Sequence, residues 1–260
     1  MTDEVQLARR GAVAVVTIDR AARSNALSKN TVLELGRVGR ALMADSAIRL
    51  GVLTGAGEKT FCAGADLKER QGMSPGDVRE LLGLYRSELA WLGAADFPVA
   101  AAINGAALGG GLELALICDF RVAVEHAVLG LPETSLGIIP AAGGTQRLPR
   151  LIGEARALEL ILRGTRIEAR QALDYGLVHR VTPEGAAVVD DCCSWLSSIV
   201  AGAPIAQRAA LRAIRAARDT TLEQGLEIER SLYDECLLSE DRAEALRAFA
   251  EKRAPQFRGR

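Results

Sequence analysis

The sequence predicts an α/β fold followed by an all-helical C-terminal part, for two reasons. Short apolar segments, some rich in β-branched residues, alternate with helix-length stretches before residue 154. From Glu154 onward apolar residues recur at helical spacing, interrupted by a strand-like segment at 177–181 and ending in a helical tail at 204–252.

Taken in order, residues 12–18 (AVAVVTI) form a buried strand ending near Asp19-Arg20. The loop after it leads to Ser28, an N-cap for a helix with Val32, Leu35, Val38 and Leu42 on one face. A second strand at 50–53 runs into the turn Gly55-Ala56-Gly57, and FCAGAD (61–66) offers backbone N–H groups that can face a ligand. Pro75 opens a helix reaching Trp91, and Phe97-Pro98 delivers the chain into a third strand at 99–103. Residues 121–124 alternate like a strand, Pro132-Glu133 starts a helix, and Gly143-Gly144-Thr145 introduces another.

The centre of this pattern is residues 99–119, VAAAINGAALGGGLELALICD: strand, turn, then a helix entered through three glycines. First-turn N–H groups have no partner inside a helix, and glycine lets another molecule approach them. The helix dipole favours an anionic oxygen there. Glu113 lies three positions after Gly110 and so shares its helix face, placing an acid/base group near any oxygen bound at that glycine. Among leucines and an isoleucine, a carboxylate is costly unless paired, hydrogen-bonded or used. Glu133, beside a proline in a first helical turn, reads on its own as an acid that complements the helix dipole.

Composition removes several function classes. Lys plus Arg (32) balance Asp plus Glu (33), so the overall charge calls for neither nucleic acid nor an anionic membrane. No apolar run approaches bilayer length and acids precede the first apolar segment, which predicts a soluble cytoplasmic protein. Five cysteines without a C-x-x-C pair read as reduced structural thiols. Two histidines, His126 and His179, argue against a histidine-rich metal site. The glycine cluster fits neither the G-x-x-x-x-G-K-[ST] loop nor a G-x-G-x-x-G dinucleotide fingerprint, which leaves an anion site or close helix packing as its two uses.

FCAGADLKER (61–70), AAINGAALGGGLELALICD (101–119) and LPETSLGIIPAAGGTQRLPR (131–150) resemble the signature of the enoyl-CoA hydratase (crotonase) superfamily, and the likeness extends to the ending AFAEKRAPQF. The resemblance implies a crotonase-like ββα spiral core over residues 1–200 and a helical trimerisation region over 201–260, giving homotrimers or hexamers. It implies an oxyanion hole from the Ala65 and Gly110 N–H groups, and contacts to an acyl-CoA thioester from Ala26, Ala63, Asp66, Leu67 and Lys68. It makes Glu113 and Glu133 the two catalytic glutamates of a hydratase, with no cofactor beyond the coenzyme A of the substrate.

Within the superfamily, NALSKN (25–30), GADLKER and GLEIERSLYDECLLSEDRAEALRAFAEKR look most like the methylglutaconyl-CoA hydratases, with short-chain enoyl-CoA hydratases as the alternative. A third possibility is an RNA-binding protein with residual hydratase activity, because animal members of that branch bind AU-rich RNA through a lysine-rich first helix. Here Leu33, Met43, Ser46 and Ala47 stand where lysines would be needed, which argues against RNA. A methylglutaconyl chain ends in a carboxylate, for which Arg70, Arg79 and Arg86 are the candidate partners, each with a solvated helix face as its plainer role.

Overall fold

The computed structural model describes residues 3–260, which divide into two compact units. The first runs to Ala95 and resumes over Val99–Ser194; the second comprises Asp96–Pro98 and Trp195–Arg260.

Among the described residues the first unit holds ten strands in two sheets. One has the order β1 (Val5–Arg10), β2 (Val13–Ile18), β3 (Leu50–Gly55), β5 (Val99–Ile103), β7 (Phe120–Val124) and β10 (Arg180–Thr182). β1 and β2 pair antiparallel and the remaining neighbours pair in parallel. The other sheet has the order β4 (Thr60–Cys62), β6 (Ala106–Leu108), β8 (Val128–Gly130) and β9 (Arg166–Glu168), with only β9 antiparallel. The chain thus places β3, β5 and β7 in the first sheet and follows each with a strand of the second before turning into helix. That alternation is a ββα spiral.

β3 and β5 are buried along their whole length, which is why they read as unbroken apolar runs rather than alternating ones. α1 (Lys29–Met43) starts where expected: the Ser28 hydroxyl accepts from the Thr31 N–H at 3.0 Å. After α2 (Leu67–Arg70), the helix expected from Pro75 to Trp91 is two, α3 (Pro75–Glu88) and α4 (Trp91–Ala94). The break is a tightened turn in which the N–H groups of Leu92 and Gly93 reach back only three residues, to Leu89 and Ala90. α5 (Gly110–Ile117) is the glycine-entered central helix, and α6 (Gly144–Ile152), α7 (Glu154–Leu162), α8 (Ala169–Asp174) and α9 (Val188–Trp195) complete this part of the chain. The strand expected at 177–181 begins later, at Arg180, because Leu177 and Val178 are drawn into hydrogen bonds with Ala172 at the end of α8. In the second unit the helical tail is α10 (Ser197–Ala201), α11 (Pro204–Ala216), α12 (Leu222–Leu237) and α13 (Glu240–Ala250).

Two buried asparagines tie the corner between β3 and β4. Asn104 Nδ2 donates to the carbonyls of Gly55 (2.8 Å) and Gly57 (2.7 Å), and its Oδ1 accepts from the Gly55 N–H (3.1 Å). Asn25, with φ of 51°, donates to the carbonyls of Ala56 (3.0 Å) and Thr60 (2.7 Å). Asn104→Ala leaves the buried Gly55 groups unpaired and is expected to cost about 2 kcal/mol or more. Urea unfolding measures it, and an unchanged midpoint would mean that the corner holds without this side chain.

Candidate active site

The site begins where two backbones touch. β4 and β6 pair side by side, with Cys62 opposite Ala107, so the connection leaving β4 runs against the entry to α5. Gly64, at φ of 91°, leaves no room for a side chain: a Cβ there would lie 2.9 Å from both the Gly110 nitrogen and the Leu108 oxygen. A Cβ on Gly111 would sit 2.0 Å from the Cys62 carbonyl oxygen. This contact puts Ala65 next to Gly110. Leu27 bridges to Ala65, donating to the Gly64 carbonyl (2.7 Å) and accepting from the Asp66 N–H (3.1 Å). Those bonds use the peptide groups on either side of Ala65 and turn its own N–H the other way. The Gly110 N–H is in the first turn of α5, where no intrahelical acceptor exists. Among the described residues neither N–H has an acceptor, and both residues remain partly open to solvent.

Two carboxylates lie on segments next to this pair of amides, one on α5 itself and one against Gly109. Glu113, one turn into α5 and 3% exposed, accepts at Oε1 from the N–H groups of Ala142 (2.8 Å) and Gly144 (2.7 Å). Burial pushes its carboxyl above the usual range, against the pull of those two donors and of the Arg147 charge. Glu133 is the first residue of a short 3-10 turn, Glu133–Leu136, that follows β8. Its carboxyl reaches Gly109, where a Cβ would lie 3.2 Å from Oε1, and its Oε2 is buried with no partner. Burial pushes this carboxyl up to about 7, opposed by its own backbone N–H and reinforced by the negative charge of Glu113. An acid serving only a helix dipole would sit in water, whereas Glu133 is 8% exposed. The two glutamates are therefore neighbours in unequal surroundings: Glu113 is held by donors and Glu133 has a free oxygen.

The remaining candidates fall around the loop that carries Ala65. Asp66 caps α2, accepting from the Lys68 (3.1 Å) and Glu69 (3.3 Å) N–H groups, and pairs with Arg20 at 3.1 Å. Burial opposes its charge, but Arg20 and the helix donors outweigh burial and hold the carboxyl below the usual range. Ala26 is buried, while Ala63, Leu67 and Lys68 are exposed on the outer side of the loop. Arg20 was not singled out from the sequence. It also pairs with Glu4 at 3.1 Å and donates to the Ala26 carbonyl, so one half-buried guanidinium ties the Ala26 loop to the Ala65 loop. The only signal for it was a charge at the end of a buried strand. The histidines lie elsewhere: His126 is exposed, and His179 Nδ1 accepts from the Arg121 N–H at 3.2 Å.

Two acceptorless amides beside two buried carboxylates suit an oxyanion and proton transfer. A model of the family described as enoyl-CoA hydratase/isomerase matches residues 8–260. The chain belongs to that family. It is thereby a hydratase-type lyase with an acyl-CoA thioester substrate. It is 40% identical to the short-chain-enoyl-CoA hydratase of Clostridium acetobutylicum over 251 residues, 96% of each chain. It is also 40% identical to the human mitochondrial methylglutaconyl-CoA hydratase over 250 residues, 95% of this chain and 74% of that one. The crystal structure of an enoyl-CoA hydratase from Bacillus anthracis superimposes with a TM-score of 0.96 at 44% identity, covering 99% of this chain and all of that one. The crotonase-like α/β architecture expected from the sequence is the one observed. No helix of the described residues is long and apolar enough to cross a membrane.

Glu133 keeps its proton up to about pH 7 in the native state, whereas an unfolded chain releases it at about 4.3. Between those values the native state binds more protons, so this group's contribution to stability falls as pH rises through the window, by about 1.4 kcal/mol for each pH unit. Glu133→Gln removes that loss. Its Tm advantage over the parent is expected to widen from pH 5 to pH 8, and a gap independent of pH would show that Glu133 ionises freely.

Proposed function

We propose that this site adds water reversibly to a 2-enoyl-CoA, and that its substrate pair is 3-methylglutaconyl-CoA and 3-hydroxy-3-methylglutaryl-CoA. The observation that carries the hydratase chemistry is the unequal carboxylate pair beside the two amides. A thioester carbonyl oxygen accepting from the Ala65 and Gly110 N–H groups gains negative charge as C3 is attacked, and donors already oriented there stabilise that charge. Glu113, its Oε1 held by two backbone donors, orients water and takes its proton as the oxygen bonds to C3. Glu133 delivers a proton to C2. Dehydration runs both transfers backwards, and neither direction calls for a metal or redox cofactor. Ala26, Ala63, Leu67 and Lys68 border the path for the coenzyme A portion, with Lys68 near its phosphates and Asp66 holding the loop in place.

The methylglutaconyl assignment rests on the segments that resemble that branch and on the human relative. The Clostridium relative, at the same identity, supports a short-chain 2-enoyl substrate instead. A panel of thioesters separates them: kcat/KM is expected to be higher for 3-methylglutaconyl-CoA than for crotonyl-CoA, and the reverse order would make this a short-chain hydratase. RNA has no place in this function, since α1 carries Arg37 and Arg40 alongside Glu34, with Asp45 just past its end, rather than a lysine row. The working form is a homotrimer or a hexamer, supported by the exposure of Leu222 and Leu226 on α12 and of Leu238 at its end.

Glu113→Gln and Glu133→Gln are each expected to lower kcat by about a hundred- to ten-thousand-fold, and the double variant little further, because the two act as a unit. The pH profile is more specific. Hydration consumes no net proton, so the equilibrium constant is independent of pH and kcat/KM in the two directions must share one profile. A pair holding a single proton satisfies this: ionised Glu113 with protonated Glu133 starts hydration, and the opposite distribution starts dehydration. Both rates are expected to fall as pH rises through about 7, where burial places the loss of the Glu133 proton. Near-normal kcat in either single variant with normal thioester binding, or a profile flat through that region, would remove the two-carboxylate mechanism.

A further inference from the structure

Three arginines follow the Ala65 loop, and the structure separates them. Arg79 and Arg86 are exposed on α3. Arg70, the last residue of α2, is half-buried; its Nε is shielded from solvent without an acceptor, and it forms no ion pair among the described residues. Its guanidinium lies over the ring of Tyr85, 5.8 Å from the centroid, which holds the fork in one orientation. Tyr85 is buried and donates to the Leu27 carbonyl at 2.8 Å, and Leu27 is the residue that bridges to Ala65. Guanidinium, ring and bridge thus form one run of contacts that ends at the amide assigned to the thioester oxygen.

The acids near Arg70 are already engaged. Glu69 accepts from the Lys29 N–H at 2.9 Å, and Asp66 is held by Arg20 and the start of α2. A guanidinium N–H hidden from water and left without an acceptor is costly, and an anion brought in by a ligand would offset that cost. A glutaconyl chain carries its carboxylate two carbons beyond C3, and a guanidinium fork binds a carboxylate through two parallel hydrogen bonds.

We propose that Arg70 binds the distal carboxylate of the acyl chain and makes this site selective for dicarboxylic acyl-CoA thioesters; the proposal rests on the hydratase function above. The experiment compares kcat/KM of the parent, Arg70→Gln and Arg70→Lys on two thioesters. One is 3-methylglutaconyl-CoA. The other is 3-methylpent-2-enoyl-CoA, with the same carbon skeleton and a methyl in place of the carboxylate. Arg70→Gln is expected to lose about ten- to a hundred-fold on the dicarboxylic thioester and to stay within about three-fold on the neutral one, with Arg70→Lys between. A parent that prefers the dicarboxylic thioester, with that preference unchanged in Arg70→Gln, overturns the role of Arg70 and leaves hydration standing. A parent equally active on both overturns dicarboxylate selectivity alone, and a parent active on neither overturns the hydratase function as well. Labelling of the parent with an arginine reagent, located by mass spectrometry, tests the same contact without a variant. Glutaryl-CoA should protect Arg70 and pentanoyl-CoA should not, and equal protection by both overturns the proposal.

Discussion

The close approach of two backbones at Gly64 and Gly110 is the constraint on which the site depends. A side chain at Gly64 would push the Ala65 amide away from α5, and one at Gly111 would drive α5 off β4. Only with both absent can two N–H groups from segments 45 residues apart (110 − 65) stand side by side with their acceptors missing. The pairing of β4 with β6 supplies the register, and Asn25, Asn104 and Arg20 hold the loops that leave it. Donors fixed in this way need no rearrangement when charge develops on a bound oxygen, which is where an enzyme gains most from a rigid backbone.

The same rigidity sets the electrostatics of the carboxylates. Glu113 and Glu133 share an apolar enclosure, so ionising both is costly, and the fold divides them by what it gives each one. Two backbone N–H groups favour the charged form of Glu113. Glu133 receives only its own N–H and keeps an oxygen free. Apart from the Arg147 charge near Glu113, no third side chain tunes them, which distinguishes this arrangement from a triad with histidine. The cost appears as stability lost as pH rises from the ordinary carboxyl range to about 7, where native Glu133 releases its proton.

Much of this was legible in the sequence, and the gaps have physical causes. β2, β3 and β5 are buried runs that announce themselves, β7 showed through its alternation, and α1 through its Ser28 cap. The second sheet escaped because β4, β6, β8 and β9 are three residues each, too short for any period to show. β1 escaped because only Val5 along it is buried. Glu113 could be placed near Gly110 from helical spacing alone. By itself Glu133 looked like a helix-start acid, because what makes it different is the approach of Gly109 across the second sheet, a contact between segments with no local signature. Family resemblance supplied the assignment that residue-by-residue reasoning could not.

Two of the buried polar atoms left without partners belong to ionisable side chains, Glu133 Oε2 and Arg70 Nε. A neutral orphan costs a fold a hydrogen bond; a charged one costs far more, so it calls for a catalytic use, a bound water or a ligand. The two are opposite in sign and chemical use. Glu133 can surrender its charge by holding a proton, which is what a group exchanging a proton with carbon requires. Arg70 cannot, since a guanidinium stays protonated, so it is suited to binding an anion and unsuited to acid-base work. On the proposed roles, the fold separates proton transfer from substrate recognition by the choice of residue at each unfilled position.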